Sequence, residues 1–96
     1  MYLALKVSDL DNVATVFAEG IQAGAGIEVR DKKGGTVEIR ALDPIPYGHK
    51  VAVQDIRTGE QITKYGEEIG VATRDIRAGN HVHVHNLDSM RGRGDL

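Results

Sequence analysis

Apolar residues in this chain recur mostly at every second position. Val37 and Ile39 alternate with Thr36, Glu38 and Arg40, and Ile27 and Val29 alternate with Glu28 and Arg30. Alternation of period two puts one set of side chains on a buried face and the other in water, which is the pattern of a half-buried strand. Further short strands are predicted over residues 3–7, 50–54, 68–73 and 81–85, with glycines between them at Gly34, Gly35, Gly48, Gly59, Gly66 and Gly79. Many short strands with glycine turns predict a small sandwich or barrel-like β-fold. One segment breaks the rhythm: Val13, Ala14, Val16 and Phe17 form a compact apolar stripe. Asp9 or Asp11 can cap that stripe and Gly20 can end it, so a helix is predicted there.

A repeated device organises the rest. Asp55-Ile56-Arg57-Thr58-Gly59 matches Asp75-Ile76-Arg77-Ala78-Gly79, and in each two residues separate the glycine from Ile62 or Val82. A weaker copy starts at Ile21 and runs through Gly24 to Ile27. In each, the isoleucine anchors a turn in the core, the glycine allows a tight reversal, and the last apolar residue opens the next strand. Such copies predict a pseudo-symmetric β-fold; their uneven spacing argues against a solenoid.

Composition narrows the class. The chain has 96 residues, enough for one domain over 1–96. It has one Phe and no Trp, so the core must be built from Val, Ile, Leu and Ala, with Phe17 as its largest fully apolar piece. The formal net charge of -2 lacks the basic excess of a nucleic-acid binder. The absence of cysteine excludes disulfides, thiolate zinc sites and a thiol nucleophile. Lys6 interrupts the short apolar start, and no run approaches the ~20 apolar residues needed to span a bilayer. A cytoplasmic protein without membrane or nucleic-acid partners is expected.

Candidate chemistry concentrates near the end of the chain. His81, His83 and His85 alternate with Val82 and Val84. On one strand the imidazoles would share a face at ~6.6 Å intervals, with the valines facing the core. Two neighbours can converge on a metal ion at ~2.0–2.1 Å, whereas three span ~13 Å, so at most two of them are expected on one ion, with further ligands from elsewhere. A histidine here can also donate a proton to a leaving hydroxyl, since its pKa lies near neutrality. His49 and Lys50, after Pro44, Pro46 and Gly48, offer a cationic contact to a carboxylate, as do Arg91 and Arg93 in the terminal Arg-Gly-Arg-Gly-Asp stretch. A plain polar hairpin, a solvated histidine face and a loose terminus are the bland alternatives. The acidic residues Glu38, Asp43, Asp55, Glu60, Glu67, Glu68 and Asp75 are scattered and form no acid/base couple.

The Asp-Ile-x-x-Gly turns resemble those of the SAF domain, a small β-clip fold. Asp11-Asn12-Val13-Ala14, the stretch from Pro44 through Tyr47-Gly48-His49-Lys50 to Ala52, Tyr65-Gly66-Glu67-Glu68-Ile69-Gly70, the His81–Leu87 stretch and the Arg91 to Leu96 tail narrow the likeness. Together they resemble the altronate and galactarate dehydratase family, which includes the small subunit of sulfolactate sulfo-lyase. The resemblance implies a mostly β SAF fold with one or two short helices, and a lyase that removes water or sulfite from a 2-hydroxy acid. It implies a divalent metal, iron or manganese, held mainly by a large catalytic subunit, with this chain inactive alone. In that setting His83 and His85 are expected as catalytic groups and His81 and His83 as metal ligands. His49, Lys50, Asn86, Arg91 and Arg93 are expected against the sugar-acid substrate. A homo-oligomer is compatible with these expectations. The rival readings are a sulfolactate sulfo-lyase small subunit, a non-catalytic SAF module that binds carbohydrate or a partner, and a structural subunit with incidental histidines.

Overall fold

The computed structural model describes residues 1–89. It contains nine strands: β1 (Tyr2–Leu5), β2 (Val13–Val16), β3 (Gly26–Arg30), β4 (Thr36–Arg40), β5 (Lys50–Ala52), β6 (Gln61–Lys64), β7 (Glu67–Ala72), β8 (His81–Val82) and β9 (Leu87–Ser89). A six-stranded sheet runs β4-β3-β1-β2-β5-β8, and a three-stranded sheet runs β6-β7-β9. All pairings are antiparallel except β1 with β3. The fold is mostly β, as the alternation predicts.

No helix occurs among the described residues, which corrects the helix expected near residues 9–20. That segment is β2, and its side chains are buried on both faces. Val13 points into a cluster with Ile56, Ile62, Ile76 and Val82, while Ala14 and Val16 point into a second cluster with Ile21, Ile27, Ile45 and Val51. A strand covered on both sides reads as a continuous apolar run, which periodicity cannot tell from a helical stripe. β5 is shared in the same way, with Val51 in one cluster and Ala52 in the other. Phe17 is also corrected: it lies just past β2 and is 44% exposed, so the core is aliphatic throughout.

The repeat has a fourth copy, Ile45-Pro46-Tyr47-Gly48, and the four isoleucines meet in two antiparallel bridges, Ile21 with Ile45 and Ile56 with Ile76. Gly24, Gly48, Gly59 and Gly79 all take φ between 81° and 97°. Their N–H groups donate to the carbonyls of Ala41, Val16, Ala72 and Ala52 at 2.7–2.9 Å. In the second pair the aspartates exchange places: Asp75 accepts from the Thr58 N–H and hydroxyl, and Asp55 accepts from the Ala78 N–H, each at 2.9 Å. This explains why Asp precedes Ile in both clear copies. At Gly79 a Cβ would lie 2.1 Å from the Arg40 carbonyl oxygen, so packing as well as φ demands glycine.

Asp11 and Asn12 tie the β1–β2 loop to the β6–β7 hairpin. The Asp11 carboxylate, 2% exposed as a residue, accepts from the N–H groups of Val7, Ser8, Tyr65 and Gly66 at 2.8–3.3 Å. Tyr65 and Gly66, with φ of 58° and 75°, form the left-handed two-residue loop that suits the twist of a hairpin. Asn12 donates its amide to the Gln61 carbonyl and accepts from the Thr63 N–H. Burial pushes the Asp11 carboxyl up, but the four amides together outweigh it and hold the group below its ordinary 3.8. Because the folded-state value is depressed, this stabilisation is complete above pH ~4 and is lost as pH falls further. Asp11→Asn presents an NH₂ to amide donors and should cost about 2–4 kcal/mol at pH 7, by the scale of charged hydrogen bonds and unsatisfied donors. Urea denaturation at pH 7 and pH 3 checks this: the midpoint should fall less between the two for the variant than for the wild type, and an unchanged midpoint at pH 7 would refute the account.

Candidate functional site

The site grows from the short ladder between β5 and β8, in which Lys50 faces Val82 and Val51 faces His81. Gly48, in the left-handed region, turns the chain so that His49 enters β5 beside that ladder. β8 ends at Val82, and Asn86 bends the chain that follows. Asn86 is 4% exposed; its side-chain oxygen accepts from the His83 N–H, and its side-chain NH₂ donates to the His81 carbonyl, each at 2.9 Å. The N–H groups of Asn86 and Leu87 both donate to the His83 carbonyl, at 3.0 and 2.9 Å.

The bend brings His83 back over His49. Their rings stack with centroids 4.4 Å apart, and His81 lies 5.1 Å from His49 and 5.6 Å from His83. His49 Nδ1 and His81 Nε2 are 2.9 Å apart, so one of them carries the proton between them. One ligand nitrogen from each of His49, His81 and His83 lies within 4.8 Å of the others. Two nitrogens on one ion at ~2.0–2.1 Å are separated by about 3–4 Å, so small ring rotations suffice to bind one.

The structure brings two histidines of the 81–85 run, His81 and His83, together with His49 from a separate segment. The continuous strand does not hold. Val82 is fully buried, but Val84 is 79% exposed because the chain has already turned. His85 stands outside the triad, exposed, with its ring 5.2 Å from that of His81. It lines an open cleft of about 510 Å³ together with His81, Asp43, Ile21, Ile45 and the two prolines Pro44 and Pro46.

Electrostatics favour neutral rings. Burial, then the charges of His49, His85 and His83, push His81 down from 6.5 to about 4, with Asp43 opposing. Burial, then His49, Lys50 and His85, also push His83 down. A neutral imidazole offers the lone pair that a metal needs. Burial and the neighbouring Lys64 push Lys50 down. Lys50 has no carboxylate partner among the described residues.

Two residues have roles that sequence reasoning missed. Asp43, read there as a scattered acid, accepts from the His81 N–H at 2.8 Å and from the Asn80 side chain at 2.9 Å, fixing the start of β8 against the cleft. Asn86, expected against substrate, has its side chain committed to the backbone of the histidine loop. An Asn between two short strands, four residues after the end of one and directly before the next, is the signal that could have found it, since such side chains bond nearby backbone. Arg91 and Arg93 lie outside the described residues.

The depressed His81 value makes a prediction with a definite sign. Between about 6.5 and about 4 the unfolded chain takes up a proton that the folded chain refuses, so stability of the metal-free protein should fall as pH drops through that window. Urea midpoints at pH 7.5 and pH 5 should differ more for the wild type than for His81→Gln. Equal losses in the two proteins would remove His81 as the cause.

Comparison with known proteins agrees with this architecture. Residues 2–90 match the family model described as the altronate/galactarate dehydratase SAF domain. The chain is 38% identical over 94 residues to (2R)-sulfolactate sulfo-lyase subunit alpha of Chromohalobacter salexigens, covering 95% of this chain and 99% of that protein. It is 42% identical over 99 residues to altronate dehydratase of Escherichia coli and 39% identical over 82 residues to that of Bacillus subtilis, covering 96% and 85% of this chain. It spans only 19% and 15% of those two dehydratases. With the match running nearly end to end, the chain belongs to the altronate/galactarate dehydratase SAF domain family.

Proposed function

We propose that this chain is the small SAF part of a metal-dependent hydro-lyase acting on sugar acids of the altronate or galactarate type, and that it lends histidines to a site completed by a large dehydratase-type polypeptide. The observation that carries the reading is the convergence of His49, His81 and His83, from two separate segments, beside an open cleft. The three imidazole donors would suit a divalent ion such as iron, and a manganese ion would need oxygen donors from the large polypeptide as well. When bound there, such an ion would polarise a substrate's carboxylate and 2-hydroxyl.

The chain's own residues then have separate tasks. His49, His81 and His83 offer nitrogens, and Asn86 and Asp43 hold the backbone that aims two of them. His85 lines the same cleft without belonging to the triad, so it is free to give a proton to the oxygen of a departing 3-hydroxyl. Lys50, half-buried and without an ion-pair partner among the described residues, supplies positive charge for an acid group. The base that takes the proton next to the carboxylate belongs to the large partner in this reading.

A second reading, the corresponding part of a sulfo-lyase, has its own support. The chain covers 99% of a sulfo-lyase alpha subunit but under a fifth of each dehydratase. The triad serves both equally, because the two substrate types share a 2-hydroxy acid.

The test is to combine the protein with the large dehydratase-type chain of its source organism and assay altronate, galactarate and sulfolactate. His49→Ala, His81→Ala and His83→Ala should each lower iron or manganese affinity at least tenfold. His85→Ala should keep the metal and lose about 10²–10⁴-fold in turnover, the usual worth of a general acid. Unchanged metal content and turnover in the triple variant would overturn the reading.

A further inference from the structure

Phe17 is the chain's one phenylalanine, and the fold leaves it 44% exposed although the core takes aliphatic residues of similar size. It does not stand alone. Its ring meets Tyr47, itself 57% exposed, edge to face at 6.2 Å. Both residues adjoin the histidine site: the N–H of Val16, the residue before Phe17, donates to the His49 carbonyl, and Tyr47 is separated from His49 only by Gly48. Val84, between His83 and His85 in the chain, is 79% exposed. An aromatic pair and an outward valine are thus neighbours of the site's histidines in the chain.

We infer that the large dehydratase-type polypeptide docks on this face, with Phe17, Tyr47 and Val84 as its apolar anchors, so that the same contact closes the cleft. The inference rests on the proposed function. Aromatic side chains in an interface core supply much contact area at low entropy cost. A cleft that holds a small ligand normally buries most of it, and this one is open on one side, so a wall is missing. In the two dehydratases most of the polypeptide lies outside the matched segment, which gives the missing wall a source. A second copy of this chain fits less well: a twofold contact here would set one cluster of imidazoles against another and shut both clefts. Val37, also exposed, sits on the edge strand β4, with β3, β1 and β2 between it and β5, and serves as a control.

A photo-crosslinking phenylalanine analogue placed at Tyr47, Val84 or Val37 tests this in the natural complex or full polypeptide. Crosslinks from positions 47 and 84, and none from 37, should map to the large dehydratase-type region. Crosslinks from 37 alone, crosslinks from 47 and 84 to a second copy of this chain, or no crosslinks from 47 and 84 would overturn the docking face. Tyr47→Glu should weaken association at least tenfold while leaving the iron or manganese content of the isolated chain unchanged; unchanged association would count against the face. Metal content and turnover of the unlabelled wild type report on the proposed function separately, so a failure of either claim can be told from a failure of the other.

Discussion

The site depends on a ladder two residues long. Pairing Val51 with His81 and Lys50 with Val82 buries both valines, one in each core cluster, and thereby fixes His81 beside the segment that carries His49. A slip of one residue would turn Val82 away from its cluster and aim His81 into it. With side chains alternating faces, burial of the valines specifies the register far more strongly than any preference of the histidines. The imidazoles are therefore placed by their apolar neighbours. Asn86 then adds what a strand cannot, a sharp return that stacks His83 on His49.

Much of the scaffold was legible in the chain. The strands at Ile27–Val29 and Val37–Ile39 follow from alternation, and the Ile-x-x-Gly turns follow from the need for a buried anchor and a left-handed reversal. What was not legible has a common physical cause: it involves contacts between distant segments. β2 read as a helix because both of its faces are buried, and only the presence of two clusters distinguishes the cases. The fourth turn, at Ile45, carries prolines where the other copies carry polar and small residues, so its pairing with Ile21 shows only in space. At the site, the three alternating histidines were visible and so was the need for a ligand from elsewhere, but His49 is 32 positions away from His81. No local pattern links them. Val84 departs from the alternation because β8 ends at Val82 and the chain then bends at Asn86.

Three imidazoles with ring centroids 4.4–5.6 Å apart, and His85 5.2 Å from His81, constitute a like-charge problem. Each ring that takes a proton makes the next protonation harder, and Asp43 is the carboxylate that opposes this at His81. The cluster can stay compact in two ways: its rings remain neutral and share hydrogen bonds, as between His49 and His81, or they point lone pairs at a cation. Both need the same deprotonated state, so the arrangement that keeps the rings close is also the one the proposed metal site would require.

In the proposed function, the same crowding separates two kinds of work that a single histidine cannot do together. A ring whose lone pair faces an ion cannot also carry a proton to a leaving group on that nitrogen. The turn at Asn86 resolves this by geometry: it draws His83 into the triad and leaves His85 one step outside, exposed and on the cleft wall. Had β8 continued as a straight strand, the three rings would have stood in a row at equal intervals. Position along that row would then have given no reason for one to hold and another to donate. In the proposed function, breaking the strand after Val82 is thus the structural step that gives His83 and His85 different surroundings and so different tasks.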